Sequence, residues 1–169
     1  MHSLMMTLGR IFDIDGDSVS VDNLISSCID EVELFSKENL RKRKLRQSGF
    51  DNDWVNDYID KAYEPTAKDF HMLKPEITKY KKIYQEYYRP LRNKVFAHMD
   101  KEYIGNTSEL WEATKNANMV EMLNFLEDLK ITLQMTFDNG RKPELGGHEF
   151  DEEWFSKDIL SLFSRVKNA

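Results

Sequence analysis

Arg92 and His98 are the residues of this sequence whose types and spacing could do chemistry, and Asn93 directly follows the arginine. An arginine side chain presents a planar fork of N–H donors that fits phosphate oxygens. A histidine can accept a proton and return it near neutral pH. Together they match the needs of RNA cleavage by the ribose 2′-hydroxyl. In that reaction one group removes the hydroxyl proton, another protonates the leaving oxygen, and a cation stabilises the negative charge on phosphorus. This chemistry requires no metal and no cofactor.

The same residues also have a purely structural interpretation. His98 could end a helix, where the helix dipole stabilises its positive charge and a nearby carbonyl accepts a hydrogen bond. Arg92 could form a salt bridge with Glu86 or Asp100. When residue types and spacing are considered alone, this structural interpretation is the commoner one, because function depends on the site.

The elements that must position these residues are helices. Apolar side chains recur at spacings of three and four from Leu4 to Phe163, which is typical of amphipathic helices. They predict helices over about residues 4–12, 29–47, 66–88, 91–98 and 151–166, and Gly49 should stop the second of these. Further helices should start at the cap Ser20, run from the cap Asp51 or Asn52 to Lys61, start at the cap Ser108, and run from the cap Asn118 to Asn139. The first helix begins almost at Met1, so it is either short or the remnant of a longer helix.

Two prolines interrupt this pattern close to the candidate site. Pro75 should either kink the helix over residues 66–88 or mark the first turn of its second part. Pro90 fits best as the first helical position of the segment that carries residues 91–98.

Composition favours a single all-α domain. The 169 residues suffice for one core, and the hydrophobic content of 40% argues against disorder. The chain has 7 Gly and 4 Pro, which leaves little room for the frequent turns of an all-β protein. Because no segment shows a clear period-two alternation and no internal repeat is present, we expect one helical bundle over residues 1–169.

The formal net charge of −6 means that any contact with nucleic acid should be local. Basic residues form two groups, Lys37, Arg41, Lys42, Arg43, Lys44 and Arg46, and then Lys79, Lys81, Lys82, Arg89, Arg92, Lys94 and Lys101. The first group, taken alone, is expected to be a solvated helix face.

Other residues that could carry chemistry have simpler explanations. Cys28 is the only cysteine, which excludes an intrachain disulfide and a thiolate metal cluster, so we expect a small buried side chain. His71 and His148 have no partner at metal-ligand spacing. No apolar run approaches the roughly 20 residues needed to cross a bilayer. We therefore expect a cytoplasmic protein without a metal or cofactor.

Four tyrosines precede the candidate site, and they are Tyr80, Tyr84, Tyr87 and Tyr88. Tyrosine rings can stack on RNA bases. Their helical spacing instead favours contacts in the core and at a dimer interface.

The segment LRNKVFAHMD from Leu91 to Asp100 resembles the HEPN superfamily and, within it, the AbiU-type abortive-infection branch. Members carry an Arg, four to six further residues and a His, usually with a polar residue straight after the Arg. Here Asn93 is that polar residue, and five residues separate Arg92 from His98. The resemblance covers roughly residues 20–140, so the fold would be a HEPN-like bundle with extra helices at both ends. Residues 141–169 would form a C-terminal loop and helix.

The resemblance implies a metal-independent endoribonuclease of a toxin–antitoxin or abortive-infection system. Family members dimerise so that the motifs of two chains face each other across a shared cleft. Arg92 and His98 would carry catalysis, and Asn93 would orient or assist. The implied partners are a second copy of the chain, an RNA substrate and an antitoxin protein, but neither DNA nor a membrane.

Helical geometry agrees with a site shared by two chains. Residues six apart in an ideal helix lie about 120° apart and about 9 Å along the axis. A twofold axis could therefore supply a second histidine. Arg89, Lys94 and Lys101 would provide a local positive field for RNA.

A catalytically silent HEPN scaffold that binds RNA, a nucleotide or a protein is the alternative. The net charge of −6 favours it mildly. The presence of both Arg92 and His98 favours the enzyme.

Overall fold

The computed structural model describes residues 2–12, 20–48, 53–93 and 116–146, and every regular element in these ranges is helical. In chain order the elements are α1 (His2–Ile11), α2 (Val21–Asp30), a 3₁₀ helix (Val32–Phe35), α3 (Lys37–Ser48), α4 (Asp53–Lys61), α5 (Ala67–His71), α6 (Lys74–Ile83), a π-helical turn (Tyr84–Tyr88), α7 (Arg89–Leu91) and α8 (Asn116–Asn139). The all-α prediction is therefore confirmed. None of the described helices is long and apolar enough to cross a membrane.

The main hydrophobic core draws side chains from α1, α2, the 3₁₀ helix, α5, α6, the π-turn, α7 and α8. Its buried members are Leu8, Phe12, Val21, Ile25, Cys28, Phe35, Phe70, Leu73, Ile77, Tyr84, Tyr88, Leu91, Met122, Phe125 and Leu129. Leu4 packs partly against this core, so α1 docks the apolar face that its sequence predicts. Burial raises the pKa of the Cys28 thiol, which keeps it protonated and unreactive at neutral pH.

The chain between residues 20 and 48 begins as predicted and then departs from the prediction. Ser20 caps α2, because its Oγ accepts a hydrogen bond from the Asn23 N–H at 3.3 Å. The single helix predicted over residues 29–47 is wrong. Ser36 is extended, with φ −63° and ψ 153°, and its hydroxyl caps the Asn39 N–H at 3.3 Å. The break lets Phe35 turn inward and meet Phe70, with ring centroids 4.8 Å apart.

The predicted helix over residues 66–88 is divided into α5 and α6 by a turn at Met72 and Leu73. Pro75 occupies the first turn of α6, which is one of the two alternatives that the sequence left open. Pro90 likewise lies in the first turn of α7, but as its second residue, one place later than the first helical position that the sequence predicts.

Helix α8 begins at Asn116, so Asn118 lies inside it and does not cap it as predicted. Its end at Asn139 is confirmed, because Gly140 has φ +59°, a conformation that glycine adopts without strain. The sequence predicts an inward stripe on this helix, which is only partly correct, and its members are Met119, Met122, Leu123, Leu126, Leu129, Leu133 and Phe137. Leu123 and Phe137 are exposed by 38% and 37%, whereas Phe125 is buried instead.

Helices α3 and α4 pack as a hairpin around a second, smaller core of Leu40, Val55 and Ile59. The end of α8 docks on this hairpin through Gly140. A Cβ atom there would lie 2.7 Å from both Ala62 Cβ and Leu40 Cδ2. The Gly140 carbonyl accepts a 2.7 Å hydrogen bond from the Tyr63 N–H. The chain beyond it is non-helical as far as Gly146, in agreement with the loop expected there.

Some predicted elements lie outside the described residues and stay predictions. They are the stop at Gly49, the caps Asp51 and Asn52, the helix after Ser108, the part of the motif segment beyond Asn93, and the helix over 151–166.

Candidate active site

The structure places three of the six candidate site residues on one continuous helical stretch. Arg89 belongs to α7, and Arg92 and Asn93 follow it in wide helical turns; all three side chains are partly buried. The other three candidates, Lys94, His98 and Lys101, lie outside the described residues. The structure therefore shows how Arg92 and Asn93 are held, and the rest of the motif remains a prediction.

Three buried side chains anchor the helical stretch that carries Arg92. Tyr84, Tyr88 and Leu91 are exposed by 1%, 0% and 0%. Spacings of four and three place them on one face of a helix. Because Arg92 directly follows Leu91, its Cα position is fixed by the core rather than by a loop.

A π-helical turn precedes the motif. The Arg89 N–H donates to the Tyr84 carbonyl, five residues earlier. Pro90 has no N–H to donate, and a proline ring crowds the carbonyl four residues before it. A regular α-turn is thus unfavourable here, and the chain widens before it reaches Arg92. Such π-turns occur often at functional sites.

The Arg92 side chain lies against helix α1. A Cβ atom on Gly9 would be 2.7 Å from Arg92 Nε, 2.9 Å from Cδ and 3.0 Å from Cζ. The Nε atom is fully buried and has no hydrogen-bond partner within the described part of the chain. The Arg92 side chain as a whole remains partly exposed.

Among the described residues, Arg92 forms no ion pair. Glu86, one of its two expected partners, instead accepts a hydrogen bond from the Tyr87 hydroxyl, and this bond raises the pKa of Tyr87. Asp100, the other expected partner, lies outside the described residues. The guanidinium is thus not neutralised by the nearest acidic residue on its own helical stretch. Arg89, in contrast, takes part in an intramolecular interaction.

The tyrosines before the motif serve the core, as their spacing predicts. Tyr84 stacks on Phe12 with ring centroids 5.7 Å apart, and Tyr80 stacks on Phe125 at 4.4 Å. Burial raises the pKa of Tyr88, although the Met119 backbone N–H faces its hydroxyl and acts in the opposite direction. Tyr84 and Tyr88 are too deeply buried to stack on RNA bases.

The first basic group, on α3, is only partly the solvated helix face that the sequence predicts, because Arg43 and Lys44 are partly buried and several of its cations bind within the protein. Lys37 Nζ donates to the Asp60 carbonyl at 2.9 Å, and Lys42 pairs with Glu38 at 2.6 Å. Lys44 Nζ donates to Asn139 Oδ1 at 3.0 Å. These ammonium groups are largely used within the protein.

Arg43 ties three elements together. Its Nη1 donates to the Leu34 carbonyl at 2.8 Å and its Nη2 to the Phe137 carbonyl at 2.7 Å. Its guanidinium carbon lies 3.9 Å from the centroid of the Phe137 ring. Desolvation lowers the pKa of Arg43, and Asp138 partly opposes that effect. Sequence reasoning could not foresee this role, because the contacts join residues far apart in the chain.

An acidic cleft lies beside α6 and α8. Its lining residues include Glu76, Tyr80, Glu121, Phe125 and Asp128. Three carboxylates repel phosphate, so this cleft does not suit RNA. Within the described ranges, no cluster of histidine, cysteine or acidic residues is arranged to hold a metal ion.

Comparison with known families gives a match, and it covers most of the chain. The sequence model of the AbiU2 family of HEPN domains matches residues 1–152. The chain belongs to this family. No curated protein and no solved structure matches it significantly. The matched region extends beyond the resemblance over roughly residues 20–140, and it includes α1 together with Arg92 and His98.

Proposed function

We propose that this HEPN domain is a metal-independent endoribonuclease of a toxin–antitoxin or abortive-infection system. The observation that carries the proposal is the state of Arg92. Its helical stretch is anchored by buried residues, its side chain is partly exposed, and within the described residues it has no ion pair. Family membership supplies the second argument. A cation held in place, with no ion pair to the described residues, can stabilise the charge on a transferring phosphate.

In the proposed reaction the 2′-hydroxyl of the substrate attacks the adjacent phosphorus. His98 of one chain removes the hydroxyl proton, and a second His98 donates a proton to the leaving 5′-oxygen. Arg92 stabilises the additional negative charge on the phosphoryl oxygens. Asn93 holds His98 or the phosphate by a hydrogen bond. The products end in a 2′,3′-cyclic phosphate and a 5′-hydroxyl.

The proposed active form is a homodimer with residues 84–98 at or beside its twofold axis. Because Tyr84, Tyr88 and Leu91 already point into the core of their own chain, the opposite side of this helical stretch would face the partner. Arg89, Lys94 and Lys101 add positive charge beside the cleft and guide RNA to it. In the cell an antitoxin protein would inhibit the enzyme.

The decisive experiment is incubation of the purified protein with total RNA in the presence of EDTA. Loss of a general acid or base lowers a rate by about 10²–10⁴-fold, so His98→Ala should be nearly inactive yet folded and dimeric. Single-stranded DNA should stay intact, since it lacks the attacking hydroxyl. Cleavage that requires Mg²⁺, or that is undiminished in His98→Ala, would contradict the mechanism.

A silent HEPN scaffold that binds RNA, a nucleotide or a protein is the second candidate. The net charge of −6 favours it, since unspecific RNA contact would be weak. A folded wild-type dimer that leaves every RNA intact under these conditions would establish it over the enzyme.

A further inference from the structure

Helix α1 approaches the candidate active site through Gly9. Within the described residues, only Gly140 and Gly146 have positive φ among the glycines. The backbone conformation at Gly9 therefore does not require glycine. Glycine is also among the least favourable residues inside a helix. Neither backbone conformation nor helix propensity explains a glycine at this position.

The contact with Arg92 does explain it. A Cβ at position 9 would lie 2.7–3.0 Å from three atoms of the Arg92 side chain, which is closer than non-bonded heavy atoms pack. Glycine removes this obstacle, and Arg92 Nε becomes buried against α1.

We propose that Gly9 is a positioning residue for Arg92, an inference that rests on the proposed ribonuclease function. The flat backbone at Gly9 shelters Nε, which leaves the terminal Nη1–Nη2 edge as the part of the fork that grips the phosphate. Arginine can hold an oxyanion through either edge of its guanidinium. Helix α1 selects the terminal edge and restricts the direction from which the phosphate arrives.

The packing of α1 indicates which side of the contact would move if Gly9 gained a methyl group. Leu8 and Phe12 fix α1 in the core, at 1% and 2% exposure. The guanidinium lies at the end of a long side chain with several free torsions. In Gly9→Ala the guanidinium should therefore be displaced while the fold persists.

The first test is steady-state cleavage of an RNA oligonucleotide chosen from the wild-type cleavage map. Displacement of a catalytic group by about 1 Å can cost about 10²-fold in rate. We expect kcat of Gly9→Ala to fall by about that factor with KM nearly unchanged. In an Arg92→Ala background the same substitution should cause no further loss. The control is Gly140→Ala, whose added methyl group meets Leu40 and Ala62 instead. At temperatures well below the melting temperature of this variant, its kcat should equal that of the wild type.

The second test measures the contact without catalysis. In the Arg92→Ala background, Gly9→Ala should raise the melting temperature by about 2–4 °C, because alanine is the better helix former and its methyl group no longer meets the Arg92 side chain. In the wild-type background the rise should be absent or reversed.

The two tests separate the possible failures. If Gly9→Ala cleaves RNA at the wild-type rate, the positioning role is wrong. It is also wrong if Gly9→Ala changes the melting temperature equally in both backgrounds. If the wild-type protein cleaves no RNA but Gly9→Ala shifts the melting temperature differently in the two backgrounds, the contact between Gly9 and Arg92 is supported. The proposed ribonuclease function is then wrong, and so is the role of Gly9 in catalysis.

Discussion

Arg43 and Arg92 are two arginines in similar surroundings that the fold uses in different ways. Both have a buried Nε without a hydrogen-bond partner in the described part of the chain. Both terminal nitrogens of Arg43 donate to backbone carbonyls, and its guanidinium covers the Phe137 ring. For Arg92, the described residues provide neither an ion pair nor such carbonyls. Arg43 is therefore a structural link, whereas Arg92 has no such role among the contacts of the described residues.

The difference shows why a basic residue cannot be judged by its position in a charge cluster. Arg43 lies in the denser of the two basic groups, yet it is held by carbonyls of Leu34 and Phe137. The last carbonyls of a helix carry partial negative charge, which makes them good partners for a cation. Arg92 instead lies against Gly9, and its Nε has no hydrogen-bond partner in the described part of the chain.

Among the substitutions that test this comparison, Arg92→Lys should have the largest effect, and that effect is on catalysis. Lysine keeps the charge but loses the planar two-pronged grip. We expect the cleavage rate to fall by about 10²–10³-fold, comparable to the loss of one oxyanion-stabilising donor. Thermal unfolding should change little. Cleavage at wild-type rate in Arg92→Lys would show that Arg92 is not the phosphate clamp.

Arg43→Ala should show the opposite pattern. It leaves two carbonyls without their charged donor, so we expect a loss of about 2–4 kcal/mol in the free energy of unfolding. The catalytic rate of the folded fraction should stay the same. Urea denaturation measures the effect, with Arg46→Ala on the exposed part of α3 as a control expected to stay within about 0.5 kcal/mol. Equal destabilisation by both substitutions would refute the role of Arg43.

Gly140→Ala tests how firmly α8 docks on the α3–α4 hairpin. The substitution combines a positive φ with contacts of 2.7 Å to Ala62 and Leu40. We expect a loss of about 1–3 kcal/mol of stability. Gly146→Ala is the matched control, because its φ is +96° and nothing lies within 4 Å of the added methyl group. Similar losses at both positions would mean that backbone strain, rather than docking, dominates.

The smallest expected effect is a pH dependence from Asp69 in the cap of α5. Burial opposes its ionisation, but hydrogen bonds from the Thr66 N–H and hydroxyl, each 2.7 Å, and from the Tyr63 hydroxyl, 3.0 Å, lower its pKa overall. A depressed pKa stabilises the fold above the unfolded-state pKa, and this contribution disappears as the pH falls through the folded-state value. Asp69→Asn should therefore cost about 1 kcal/mol at neutral pH.

Urea denaturation at several pH values checks this expectation. The difference in stability between wild type and Asp69→Asn should shrink below about pH 4. A difference that stays constant down to pH 2 would contradict the assigned cause.

The sequence by itself determined the helical class, the cap at Ser20, the stop at Gly140 and the motif at Arg92. These features depend on local rules. Apolar spacing, a side-chain oxygen before a helix and a glycine after one act within a few residues. Family membership could likewise be inferred from ten consecutive residues, because the motif is contiguous.

Tertiary structure decided what local rules leave open. Ser36 interrupts a pattern that would extend as one helix, because the break lets Phe35 reach Phe70 across the core. Leu123 continues an apolar stripe but is exposed, and Phe137 is covered only partly, by Arg43 and Phe35, whereas Phe125 is buried. The contact between Gly9 and Arg92 joins residues on different helices. No local pattern predicts this contact, because the space beside Gly9 matters only once the fold brings the Arg92 side chain into it.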